Sequence, residues 1–386
     1  MLRPKKLFSL YKRPIKLKDG SSKSIYYVQY RDVFGNFKSG ISTGATNKGL
    51  AEIWAKEHLA ESCDYSPAEC ITFEMFTKDF FKPGSKYLDY TKALGKKLTK
   101  AYVDQNQRNL NNHLLPFFGK MLMKMISSMY VTEWITTLSK QSVSPNIINY
   151  SIRTLSKIFK YAKETGIVKD NPVSGLSRPA PRHKERGILT IEQVRNLLNE
   201  DTINQVWGGD IVQYAINLLA CCTGLREGEI LALQRKNVFD SYIEIDHSYS
   251  IVDKLKEPKC KSYRAVPIPS KVIKYLNTVM DLSPFKDDTD FIFHSDRRDK
   301  PIKPDAVRDN LYHALEKIGV TEEERKAKNI KFHSHRHFFN TSARTRIPDA
   351  LLRKLTGHKN SEMTERYSHI DLKDFKEIIE FQEKIL

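Results

Sequence analysis

Residues 145–165 (PNIINYSIRTLSKIFKYAKET) set Ile148, Ile152, Leu155, Ile158, Phe159 and Ala162 on one stripe at helical spacing. A helix with one apolar face has little stability alone in water and must bury that face against neighbours. Asn171-Pro172-Val173 then stops the pattern. Upstream, residues 101–125 carry Leu110, Leu114, Leu115, Phe117 and Phe118, with Pro116 and Gly119 ending a helix. Residues 72–176 therefore read as a helical domain, and its stripes are core first. Any polar-partner contact falls to the opposite side, where Lys100, Arg108, Arg153 and Lys157 lie.

The pattern changes on both sides of this domain. Residues 177–186 (SRPAPRHKER) hold two prolines and four Lys or Arg, as expected of an extended basic linker. From 187 onward the chain mixes periods. Thr190 caps a helix with Gln193 at the capping-box position, and a second helix fills roughly 208–222. Residues 239–252 and 263–268, with Phe291-Ile292-Phe293, alternate as short strands, and the rest reads helical to residue 386. At the other end, Ser24–Arg31 is rich in strand formers, and Val33–Phe37 reads as a turn into a second strand. Residues 48–62 place Leu50, Ile53, Trp54 and Leu59 near helical spacing. The expected fold is multidomain and mainly α: a small sheet-plus-helix module over 1–65, the helical domain, the linker, and a mixed α/β domain over 187–386.

Charge narrows the partner. The chain has 64 Lys and Arg against 46 Asp and Glu, a formal net charge of +18. Residues 1–50 alone hold eleven Lys and Arg against Asp19 and Asp32. A concentration of that kind favours a polyanion, because each phosphate contact releases condensed counterions; the alternative is a solvated basic face. The five cysteines share no C-x-x-C spacing, so neither a disulfide framework nor a zinc ribbon is expected, and a reducing cytoplasmic setting is. The N-terminus lacks a continuous apolar segment, and the longest apolar runs are too short to span a bilayer, so no membrane partner is expected.

The chemistry gathers near the C-terminus. His333-Ser334-His335-Arg336 is followed by Gly357-His358 and Arg366-Tyr367-Ser368-His369, with Thr223-Gly224-Leu225-Arg226-Glu227-Gly228-Glu229 far upstream. Two arginines, two or three histidines and a tyrosine can cut a phosphodiester without a metal. Guanidiniums fork onto the non-bridging oxygens, imidazoles handle protons near neutral pH, and a phenol attacks phosphorus. The phenol has a reference pKa of about 10, so Tyr367 needs cations and a proton acceptor beside it. His333, His335 and His337 do not converge on a metal, since residues at i and i+2 point to different helix faces. No cofactor or metal is expected.

The order Arg, His-x-x-Arg, Gly-His, Tyr resembles the tyrosine recombinase (phage integrase) family, over the whole chain and most strongly over 187–370. The resemblance implies a three-domain integrase of the phage or conjugative-transposon type. Residues 1–65 would bind arm-type DNA, 72–176 would form the core-binding (SAM-like) domain, and 187–386 would be catalytic. It implies Tyr367 as nucleophile, Arg226 and Arg336 as phosphate clamp, His333 assisting the tyrosine's proton and His358 hydrogen-bonding the scissile phosphate. The hairpin Glu257–Pro267 resembles the family's general-acid hairpin, in which Lys259 fits the register better than Lys261. Glu229 would orient an arginine or histidine of the site, or would simply stabilise its helix. Ser334 and His335 stand where an acidic residue and a leucine are frequent, and Thr356 where leucine often precedes Gly-His.

By the same resemblance the chain would act on double-stranded DNA as a homotetramer on two sites, aided by a DNA-bending protein and a directionality factor. Two other readings are a type IB topoisomerase and a catalytically silent DNA-binding regulator on the same scaffold. The amphipathic segment 371–386, with Leu372, Phe375, Ile378, Ile379 and Ile385, packs on its own domain or on a neighbouring protomer.

Overall fold

The computed structural model describes residues 8–16, 21–31, 37–58, 71–181, 186–259, 262–357 and 372–386. The chain divides into two compact units, Met1–Arg182 and His183–Leu386. No helix among the described residues is long and apolar enough to cross a membrane.

In the first unit, β1 (Phe8–Lys16) pairs antiparallel with β2 (Ser22–Tyr30), from Phe8 opposite Tyr30 to Lys16 opposite Ser22. The short β3 (Ile41–Ser42) adds to the far edge of β2. The sequence pattern missed β1, whose Lys, Arg and Pro residues obscure the alternation; nine cross-strand pairs with β2 hold it in place. Helix α1 (Lys48–Glu57) starts where the Asn47 side chain accepts from Gly49 N at 2.7 Å. It packs through Ala51 and Ala55 over Val28 and Tyr30, and the Tyr30 hydroxyl donates to Ala55 O at 2.9 Å. Leu50 and Ile53, expected to face the sheet, are 61% and 54% exposed. The alanines repeat at an i, i+4 interval and let the helix backbone approach more closely. Leu59 lies outside the described residues.

The helical part comprises α2 (Phe73–Thr77), α3 (Lys86–Ala93), α4 (Lys100–Asn109), α5 (Leu115–Phe118), α6 (Ser128–Lys140) and α7 (Pro145–Glu164). All six residues of the α7 stripe are buried, in one core with Phe73, Phe118 and Trp134. Between α4 and α5 the backbone widens into a π-turn, Leu110–Leu114, just before Pro116. Proline has no N–H for the regular ladder, and the wider turn absorbs that loss. The Trp134 indole then donates to His113 O at 2.8 Å and fixes the bend.

The second unit opens with α8 (Ile191–Leu197), where the expected capping box of Thr190 and Gln193 is present. After α9 (Ile203–Trp207) comes α10 (Ile211–Thr223), the central helix of this unit, buried from Gln213 through Thr223. Next are α11 (Glu227–Ile230), β4 (Tyr242–Ile245), β5 (Ser248–Ser250), β6 (Lys254–Lys256) and β7 (Arg264–Pro267). β4 pairs with β7 and β5 with β6, both antiparallel. The helices α12 (Ser270–Leu282), α13 (Pro304–Lys317), α14 (Glu322–Ala327), α15 (Ser334–Ala343), α16 (Asp349–Thr356) and α17 (Leu372–Ile385) complete the unit.

Phe291-Ile292-Phe293 is not a strand. It is a buried turn held by isolated bridges from Phe291 to Gln234 and from His294 to Pro301. Three apolar residues in a row serve a buried turn as well as a strand. Helix α17 packs on its own unit: Ile378, Phe381 and Ile385 are buried, Phe381 meets Phe339 edge-on at 5.7 Å, and the Gln382 amide donates to Pro267 O at 2.9 Å.

Candidate active site

Two helix ends make the scaffold of the site. Helix α10 stops at Gly224 and α16 stops at Gly357, both in the left-handed region, at φ 62° and 66°. A Cβ on Gly224 would sit 2.7 Å from the Phe339 ring, so glycine is needed there for packing as well as for backbone shape. Ending this way leaves carbonyls at each helix C-terminus without intrahelical partners and with the negative end of the dipole.

Three arginines fill those acceptors. Arg264 Nε donates to Leu355 O at 2.7 Å, Arg336 Nη2 to Thr356 O at 2.6 Å, and Arg226 Nη2 to Gly357 O at 3.2 Å. Three successive carbonyls of the last turn of α16 are thus held from β7, α15 and the N-cap of α11. Arg336 Nη1 also donates to Gly224 O at 2.8 Å and so joins the two helix ends. Burial first, and the charge of Arg226 next, push the Arg336 guanidinium down to about 10, which leaves it charged at neutral pH.

Glu229 lies at the centre of the cluster, 1% exposed. Its carboxylate accepts from Arg226 N (3.1 Å), Arg226 Nη1 (2.7 Å) and Arg264 Nη2 (2.8 Å). Burial alone would raise its pKa, but the Arg264 and Arg226 guanidiniums outweigh it and hold the carboxyl below the usual range. Arg226, with 24% of its side chain exposed, is the more open of its two cationic partners; Arg264 has 6%.

The histidines divide into two kinds. His333, half-buried at the N-cap of α15, stacks edge-on with exposed His337 at 5.2 Å. Burial, followed by the charges of Arg186, His337, Arg336 and Arg226, brings His333 down to about 4. It is therefore a neutral imidazole at physiological pH, the form that accepts a proton. His335 is fully buried and brought down to about 4 by that burial; its Nε2 meets Asn217 Oδ1 at 3.0 Å, and Asn217 Nδ2 donates to Gln213 O at 2.8 Å. The amide oxygen can only accept, so neutral His335 donates through Nε2. It ties α15 to α10 and does not face a substrate. Two of the three unusual residues fit their places through a hydrogen bond of their own: His335 brings its buried partner Asn217, and the Thr356 hydroxyl donates back to Leu352 O at 2.8 Å.

Lys259 stands at the surface between β6 and β7, and its carbonyl accepts from Ser262 Oγ at 3.1 Å. Lys261, His358, Tyr367 and His369 lie outside the described residues. The structure thus brings Arg226, Glu229 and Arg336 together, directly before the chain reaches His358. Arg264 lies within the hairpin Glu257–Pro267, and no sequence motif singles it out. Its signal was alternation: it shares a strand face with the buried Val266.

Comparison with known proteins shows what the chain is similar to. The phage integrase family matches residues 188–373, and the phage integrase N-terminal SAM-like domain matches 86–139. A tyrosine recombinase of Thermosipho africanus is 24% identical over 74% of this chain and 93% of its own length. The ICEBs1 integrase of Bacillus subtilis is 30% identical over 45% of this chain and 47% of its own. Among solved structures, the Tn1549 transposon integrase in complex with a circular intermediate DNA superposes with a TM-score of 0.58 at 20% identity, covering 76% of this chain and 97% of that one. A lambda integrase dimer bound to a core site gives 0.57 at 16% identity, covering 96% and 99%. From the two family matches and the Thermosipho africanus recombinase aligned along 93% of its length, the chain belongs to the phage integrase family of tyrosine recombinases.

Proposed function

We propose that this protein cuts and rejoins DNA at Tyr367 and so integrates or excises a mobile element. The observation that carries the reading is the arginine cluster: Arg226 and Arg336 converge on the end of α16 immediately before His358, with Glu229 buried between cations. Arg226 and Arg336 clamp the non-bridging oxygens of the scissile phosphate and stabilise the pentacoordinate transition state. Tyr367 Oη attacks phosphorus and gives its proton to neutral His333, His358 hydrogen-bonds the phosphate, and the bond to the 5′-oxygen breaks. Lys259 protonates that leaving oxygen. The 3′-phosphotyrosine keeps the energy of the broken bond, so a 5′-hydroxyl from a second duplex reverses the step without ATP.

The remaining parts of the chain serve DNA contact. In residues 1–65 the sheet face away from α1 carries Tyr11 stacked on Tyr27 at 5.8 Å and Arg13 over the Tyr27 ring at 5.6 Å, an aromatic and cationic surface suited to arm-type DNA. In the helical domain over 72–176, Lys157 reaches over Tyr102 at 4.5 Å and bonds Asn106 Oδ1 at 2.9 Å; burial, with Arg153 and Lys96, brings it down to about 8. Core-site DNA is its partner, and 177–186 is the basic linker to the catalytic domain over 187–386. Four protomers act on two sites, the same number as in the lambda integrase tetramer bound to a Holliday junction. A DNA-bending protein and a directionality factor assist, and the protein works in the cytoplasm on DNA.

The test is covalent trapping on nicked suicide duplexes taken from the DNA flanking the gene, in EDTA and without ATP. The expected result is an SDS-resistant adduct that Tyr367→Phe abolishes while DNA binding is unchanged. Binding with no adduct on any flanking duplex would instead indicate a silent DNA-binding regulator, and an adduct retained by Tyr367→Phe would remove the nucleophile assignment.

A further inference from the structure

We infer that Arg264 is a positioning residue for the phosphate clamp: it does not touch DNA, and it sets the geometry through which Arg226 does. The inference rests on the recombinase reading above.

Arg264 is one of the most committed side chains of the site. Its Nε is on Leu355 O, its Nη1 on Ser262 O at 3.0 Å, and its Nη2 on Glu229 Oε2 at 2.8 Å. With 6% of the side chain exposed, it has no open face to offer a phosphate. Each bond reaches a different part of the proposed machinery. Leu355 O belongs to the turn that leads into Gly357-His358. Ser262 belongs to the segment after Lys259, where its hydroxyl also bonds Lys259 O. Glu229 holds Arg226 by both backbone and side chain.

The consequence is electrostatic. Glu229 is shared between two guanidiniums, one buried and one half-open. With Arg264 present, the carboxylate is already neutralised from the buried side, and Arg226 keeps part of its fork for an incoming anion. Without Arg264, a buried carboxylate is left with Arg226 as its remaining guanidinium and competes with the scissile phosphate for it. Leu355 O also loses its donor, and the turn before His358 loses one of its three anchors. A phosphate clamp displaced by a fraction of an ångström loses much of its transition-state stabilisation.

The experiment compares adduct formation by wild type and Arg264→Ala on two versions of the trapping duplex. One carries the normal phosphate and the other a neutral methylphosphonate at the scissile position. We expect Arg264→Ala to bind DNA as wild type does and to slow adduct formation by roughly 10–100-fold on the phosphate. On the methylphosphonate, which carries no negative charge and keeps a single non-bridging oxygen for Arg226, the deficit should shrink to about 3-fold or less. Arg264→Lys, which keeps a cation beside Glu229 but not the fork, should fall between. Its deficit should likewise collapse on the methylphosphonate, and it carries the test if the alanine variant does not fold. An equal deficit on both linkages would mean that Arg264 merely holds the hairpin, and would overturn the inference while leaving the recombinase reading intact. No adduct from wild type on either duplex would overturn both.

Discussion

His333 should keep tyrosine activation alive at a pH where an ordinary histidine would have stopped it. An unperturbed imidazole with a pKa of about 6.5 is roughly nine-tenths protonated at pH 5.5. His333, brought down to about 4 by burial and by Arg186, His337, Arg336 and Arg226, is only about 3% protonated there. In the proposed mechanism only the neutral ring can take the Tyr367 proton. The shift therefore preserves about a 10-fold larger competent fraction at pH 5.5, and competence is lost only as pH falls toward 4. The assay is the second-order rate of adduct formation at limiting protein, from pH 5 to 8, because that constant reports the free enzyme and not the DNA complex. The His333→Gln profile identifies which limb belongs to this residue. Arg186→Ala should move that limb upward, since it removes the largest charge opposing protonation of His333. An acid limb centred between pH 6 and 7 that disappears in His333→Gln would refute the reasoning.

Three other outcomes are expected. Lys259→Ala should lose cleavage of a normal duplex and recover it on a 5′-bridging sulfur, whose leaving group needs no proton; absence of recovery would move the general acid to Lys261. His335, neutral when folded down to about pH 4, should make the catalytic unit acid-labile. The unfolded chain takes up the proton first as pH falls through about 6.5, so stability against urea should drop by on the order of 3 kcal/mol between there and pH 4. His335→Leu should flatten that dependence but cost about 1–3 kcal/mol at pH 8, where Asn217 Oδ1 loses its donor; a pH dependence unchanged in the variant would count against the buried histidine as its source. Deleting residues 1–65 should abolish integration and spare cleavage of a core-site duplex, and loss of both would reject that division of labour.

Local pattern made several features legible. The α7 stripe, the Thr190–Gln193 capping box and the turn glycines before Arg226 and His358 are decided within a few residues of chain. The order of arginine, histidine and tyrosine boxes likewise pointed to the family that the matches over 188–373 and 86–139 show.

Tertiary structure decided what depends on partners far away in sequence. Ala51 and Ala55 took the sheet-facing side of α1 from Leu50 and Ile53, because close approach to Val28 and Tyr30 favoured the small residues. Strand β1 exists through its pairing with β2, and Phe291–Phe293 became a buried turn through bridges to Gln234 and Pro301. α17 settled on its own unit because Phe339 and Pro267 O received it. The role of Arg264 was hidden for the same reason: its bonds run 35 residues to Glu229 and 91 to Leu355. A periodic pattern records which face of an element is buried, whereas which acceptor a buried guanidinium finds is fixed only when distant helix ends are brought together.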